Sequence, residues 1–101
     1  MLKTSLHKHL PALKEIFLRH QVSKAFLFGS IAKNTNHSKS DVDFLVRFKD
    51  GLDYEAYSEN YFKLLYSLQD LLQKDVDIVA EETLSNPYLI QSINKSKIEI
   101  L

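Results

Sequence analysis

Asp41 and Asp43 stand two residues apart in the segment Ser40-Asp41-Val42-Asp43-Phe44-Leu45-Val46. On an extended strand that spacing sends both side chains out of one face, with Cα atoms roughly 6 to 7 Å apart. Two carboxylates so placed can converge on one point, and they repel and shift each other's pKa unless a cation lies between them. Hard oxygen donors of this kind suit Mg²⁺ or Mn²⁺. The sequence holds no cysteine, so thiolate metal sites are excluded and any metal must take oxygen or imidazole ligands. An Asp-x-Asp alone also has a plainer reading, in which Ser40-Asp41 ends a loop and Asp43 is solvated on an open sheet face.

Two further features bear on that choice. Gly29-Ser30 closes a short apolar run, and ten residues, 31 to 40, separate it from Asp41. Glycine lets the backbone turn sharply and approach a ligand, and Ser30 with the amides after it can form an anion-binding helix start, although an ordinary strand-ending turn has the same look. Asp77 sits between Val76 and Ile78 in another short apolar run, where an uncompensated acid is expensive to bury. If its strand lies beside that of Asp41 and Asp43, Asp77 faces the same spot and completes seats for two metals about 3.5 to 4 Å apart, suited to in-line displacement at phosphorus. The alternative is an Asp77 exposed at a sheet edge, with Asp75 as its solvated neighbour.

The elements that must position these residues follow from periodicity. Leu6, Leu10, Leu13, Ile16 and Phe17 mark one face of a helix, and Pro11 fits as the first residue of a helix running to about His20, with a looser turn before it. Lys24 to Phe28 reads as a buried strand, and Ser30 to Ser40 as a loop. From Asp41 to Phe48, Val42, Phe44, Val46 and Phe48 alternate with Asp41, Asp43, Leu45 and Arg47, as in a half-buried strand. Tyr57, Tyr61, Leu64, Leu65, Leu68, Leu71 and Leu72 mark a long amphipathic helix between Tyr54 and Lys74. Asp75 to Val79 is a third strand, Asn86-Pro87 caps and opens a helix to about Asn94, and Ile98 and Ile100 alternate as a last short strand. The order predicts an α+β, two-layer fold: a mixed sheet of three to four short strands with helices packed mainly on one face.

The bulk numbers set bounds. A chain of 101 residues with 45% hydrophobic content suits one compact domain, residues 1–101, with a single core. Thirteen basic and thirteen acidic side chains cancel and are scattered, which argues against a nucleic-acid partner held by general charge attraction. No signal-like run and no stretch of about 18 apolar residues occurs, so a soluble, cytoplasmic protein with no membrane partner is expected.

Taken together, Phe28-Gly29-Ser30, Ser40-Asp41-Val42-Asp43-Phe44-Leu45-Val46 and Val76-Asp77-Ile78-Val79 resemble the motif set of the polymerase-β-type nucleotidyltransferase superfamily. The short chain and ten-residue spacer resemble its minimal nucleotidyltransferase (MNT) branch, the antitoxins of HEPN/MNT toxin-antitoxin pairs. The resemblance implies the nucleotidyltransferase fold, with Gly29 and Ser30 gripping the triphosphate, Lys33 and Ser40 contributing to nucleotide binding, and Asp41 and Asp43 holding two Mg²⁺ ions. It also implies that Asp77 completes the metal site and accepts the proton of the incoming hydroxyl. The activity implied is transfer of AMP from ATP to a tyrosine of a partner HEPN ribonuclease toxin, which silences it. The branch often has Ala-Arg-Gly where this chain has Ala32-Lys33-Asn34; Lys33 keeps the charge but not the bidentate fork of arginine, and Asn34 can adopt the left-handed backbone of glycine.

Other readings stand beside this one. An antitoxin that neutralises its partner by contact alone, with a relic site, fits the small size and the Lys33-Asn34 departure. Transfer to a small molecule such as an aminoglycoside shares the motif, but that branch generally carries an extra helical domain. His7 and His9 fall on nearly opposite faces of a helix and read as surface residues, and His37 as a solvated loop residue. His20 suits a capping role at a helix C-terminus. Tyr57 and Tyr61 fit core packing; Tyr54 and Tyr66 fit a partner surface.

Overall fold

The computed structural model describes residues 8–29 and 42–101; the expected loop from Ser30 to Ser40 lies outside them. Helix α1 runs from Leu10 to Arg19 with Pro11 in its first turn, where the missing N–H has no intrahelical partner to lose. Leu13 and Phe17, one turn apart, are fully buried beneath it. At its C-terminus His20 donates from Nδ1 to the Ile16 carbonyl at 2.7 Å, the expected capping contact, and Gln21 at φ 66° turns the chain into the sheet.

Strand β1 spans Val22–Phe28, two residues longer at its start than the apolar run suggested, because Val22 pairs with Phe48 across an irregularity before Lys24. Strand β2 is Val42–Phe48 and β3 is Val76–Ala80. Between them lies α2, Tyr54–Leu72, capped by the Asp53 carboxylate, which accepts from the Ala56 N–H at 2.7 Å. The helix stops short of Lys74 because Gln73 takes a left-handed conformation at φ 54°. Helix α3, Pro87–Ser96, begins where the Asn86 side chain accepts from the N–H groups of Tyr88 and Leu89, satisfying two orphan donors at once. Strand β4, Ile98–Glu99, closes the chain.

The four strands of the described residues form one mixed sheet in the order β3-β2-β1-β4. The β1/β2 and β1/β4 pairs are antiparallel, while β2 and β3, joined through α2, are parallel. Alternation assigns the faces. Val42, Phe44, Val46 and Phe48 join Ala25, Leu27, Val76 and Ile78 in a core with Leu13 and Phe17 of α1 and Leu64 and Leu68 of α2. Phe17 meets Phe44 edge-on, with ring centroids 5.3 Å apart. Burying each such side chain stabilises the fold by roughly 1.5 to 3 kcal/mol. Among the described residues no helix is long and apolar enough to cross a membrane.

The opposite face is not simply solvent. Leu45 is only 3% exposed and Ile93 of α3 4%, and both lie outside the main core. Helix α3 therefore covers the middle of this second face, and β2 is buried on both sides at Leu45.

Candidate functional site

The sheet register brings the candidate residues together. Asp43 stands directly opposite Asp77 on the parallel neighbour β3 and opposite Phe28 on the antiparallel neighbour β1. Directly paired residues share a face, so Phe28, Asp43 and Asp77 make one row across three strands, with about 4.8 Å between neighbours. It is the face away from the main core, because Val42, Phe44, Val76 and Ile78 on either side of the two acids are buried in that core.

Asp77 thus meets both readings offered by its sequence: among the described residues β3 is an edge strand and Asp77 is exposed, yet it lies beside Asp43. Asp43 is half-buried. Gly29, immediately after Phe28, has φ +80°, and a Cβ placed on it would run into the Asp43 carboxylate. The glycine turn and the second acid of the Asp-x-Asp are in contact.

Ser30, Lys33, Ser40 and Asp41 lie outside the described residues, as do His7 and His37. Of the seven candidate positions the described structure therefore places three, Gly29, Asp43 and Asp77, and it places them in one corner of the sheet. Among the described residues no group of three or more His, Cys, Asp or Glu side chains gathers to hold a metal. What this region supplies is a pair of carboxylates in direct register, whose oxygen donors and mutual repulsion fit a hard divalent cation.

The next two rows on the same face follow in order. Phe26, Leu45 and Val79 make the second, and Lys24 and Arg47 begin the third, which Arg47 extends by a 2.8 Å ion pair to Glu81. Above Leu45 a cavity of about 250 Å³ opens beneath α3, with Asn94 and Lys97 among the residues lining it. Sequence reasoning did not find this cavity. A signal existed: Leu45 is apolar between Asp43 and Arg47 on the nominally polar side of its strand. A wider depression of about 710 Å³ lies around Arg47, Lys49 and Tyr57 at the far end of β2. There the hydroxyl of Tyr57 is pushed up to about 12, first by burial and then by the charge of Glu82 and a hydrogen bond to it.

Residues 6–100 match the nucleotidyltransferase domain family, and the chain belongs to that family. Enzymes of this kind move a nucleotidyl group from a nucleoside triphosphate, generally with divalent metal. A relative from Methanocaldococcus jannaschii that carries the provisional name protein adenylyltransferase is 37% identical over 99 residues, an overlap of 98% of this chain and 94% of the relative. Among solved structures, a protein provisionally named a minimal nucleotidyltransferase superposes with a TM-score of 0.79 at 30% identity, covering 97% of this chain and 95% of that one. A toxin-antitoxin complex crystallised with AMP-PNP contains a chain that matches with a TM-score of 0.71 at 26% identity, over 91% of this chain and 72% of its own length.

Proposed function

We propose that the chain, as one domain over residues 1–101, is a metal-dependent adenylyltransferase and the antitoxin of a toxin-antitoxin pair. In this reading it transfers AMP from ATP to a tyrosine hydroxyl of a partner HEPN ribonuclease toxin. The observation that carries it is the row in which Asp77 stands in register with Asp43 while Gly29 closes against the Asp43 carboxylate. The AMP-PNP in the related toxin-antitoxin complex supports ATP as donor, and the name of the Methanocaldococcus relative supports a protein acceptor.

The roles divide as follows. Gly29 and Ser30, with Lys33 and Ser40, hold the triphosphate. Asp41 and Asp43 would hold two Mg²⁺ ions, with Asp77 a ligand of one. Ions bound there would supply polarisation of the α-phosphate and neutralise the charge that develops on it. Asp77 takes the proton of the incoming tyrosine hydroxyl, whose oxygen bonds to the α-phosphorus as the bond to the β-phosphate bridge breaks and pyrophosphate departs. Its exposed position on an edge strand suits an acceptor presented by a second protein, which must reach the site from outside.

The test is direct. The chain is incubated with ATP labelled at the α-phosphate, Mg²⁺ and the protein encoded beside it. Label is expected on a tyrosine of that partner, to vanish with EDTA, and to vanish in Asp43→Asn and Asp77→Asn. Full neutralisation of the partner by a chain lacking Asp41, Asp43 and Asp77, with no label transferred by the wild type, would overturn the reading in favour of inhibition by contact alone.

A further inference from the structure

We infer that the cavity between α3 and the second face of β2 is the seat of the donor nucleobase, with Asn94 reading the edge of adenine. The inference rests on the reading of the site given above. Displacement in line at phosphorus places the incoming and leaving oxygens on opposite sides of the α-phosphorus. The triphosphate seat at Gly29 follows β1, and Asp77, which takes the proton of the incoming hydroxyl, belongs to β3. These strands flank β2 and Asp43 from opposite sides. The reaction line therefore crosses the strands, and the nucleoside, attached through an oxygen that is neither incoming nor leaving, must depart at a steep angle to that line, along the strands or away from the sheet.

Along β2 the next residue on the same face is Leu45, two positions and roughly 6.7 Å from Asp43. Leu45 is the floor of the cavity, and Leu84, Ile90 and Ile93 form its walls. The volume of about 250 Å³ lies below the roughly 300 to 1,000 Å³ of pockets that enclose whole drug-sized ligands, which suits a single heterocycle whose sugar and phosphates remain outside. Apolar walls fit the faces of a base. The polar groups lining it are Glu81, which is ion-paired with Arg47, and, on the α3 side, Asn94 and Lys97. Lys97 is engaged, its Nζ lying 4.2 Å from the centre of the Phe26 ring. Asn94 is exposed and offers an amide that donates and accepts, the pattern that matches N6 and N7 of adenine and not O6 and N7 of guanine.

The test measures binding apart from turnover. Calorimetric titration of the full chain with Mg²⁺ compares ATP, GTP and inorganic tripolyphosphate, for the wild type, for Ile90→Trp, which fills the cavity, and for Asn94→Arg, which puts donors only, the match for O6 and N7 of guanine, at an exposed position. The expected result is ATP affinity lowered about tenfold or more in Ile90→Trp, with tripolyphosphate unchanged, and loss of the preference for ATP over GTP in Asn94→Arg, read as the ratio of the two affinities. ATP binding and preference unchanged in both variants would overturn the assignment while leaving the proposed function intact. So would an Ile90→Trp chain that binds ATP normally but no longer labels its partner, since the cavity would then seat the acceptor. A wild type that binds neither ATP nor tripolyphosphate would overturn both readings.

Discussion

The Cα of Gly29 lies against the carboxylate of Asp43, so that a Cβ built there comes within 3.1 Å of the Asp43 Cγ and closer still to Oδ2. Glycine is required here on two independent grounds, since φ is +80° and the space a side chain would need belongs to the acid.

Gly29→Ala is therefore expected to cost about 1 to 2 kcal/mol of stability from the left-handed backbone alone, read by urea denaturation. Nucleotidyl transfer should fall further than that loss of folded protein explains, because the new methyl displaces Asp43. A variant that is destabilised but transfers normally per folded molecule would show that the contact has no part in the reaction.

Asp77→Asn separates chemistry from folding. Asp77 is exposed on the edge strand, so the melting behaviour should stay within about 0.5 kcal/mol of wild type. The rate of transfer is expected to drop about 10²- to 10⁴-fold, the usual worth of a general base. Single-turnover transfer with labelled ATP at saturating partner measures it, and a near-normal rate would remove Asp77 from the mechanism.

Tyr57 predicts an alkaline signature. Its pKa is raised from 10.0 to about 12 in the folded protein, so the fold favours the neutral phenol. That contribution is fully present below pH 10 and is lost as pH rises through about 12, since the unfolded chain releases its proton first. Tyr57→Phe keeps the ring, which packs 4.9 Å from Phe48, and removes the proton. The difference in unfolding free energy between the two chains should be flat below pH 10 and shrink between pH 10 and 12; a difference constant across that window would refute the linkage.

Asn86 tests how α3 is held over the second face. Its side chain accepts from Tyr88 N at 2.9 Å and Leu89 N at 3.3 Å, and Asn86→Ala should cost about 1 kcal/mol. For a domain of this size that lowers the thermal midpoint by roughly 4 to 8 °C, which calorimetry would record; an unchanged midpoint would mean the cap is replaced by water without loss.

Local pattern was legible where a residue's neighbours in sequence are its neighbours in space. The alternation of Val42, Phe44, Val46 and Phe48 against Asp43 and Arg47 assigned the faces of β2. The spacing of Leu64 and Leu68 marked the buried side of α2, and Asn86-Pro87 announced the start of α3 through a cap formed within three residues. Boundaries slipped by one or two positions where the deciding event was a single backbone angle or a partner far along the chain, as at Gln73 or where Val22 meets Phe48.

The sequence by itself determined the kinds of group available for chemistry: a glycine turn, acids spaced for one strand face, and no thiol, because residue type and period-two geometry need no tertiary contact. Only the tertiary structure decided that β3 lies parallel beside β2, setting Asp77 in register with Asp43, that Gly29 closes against the Asp43 carboxylate, and that α3 covers Leu45. Each joins segments distant in sequence through strand pairing and packing, whose free energy depends on which faces meet and not on any one segment's own pattern.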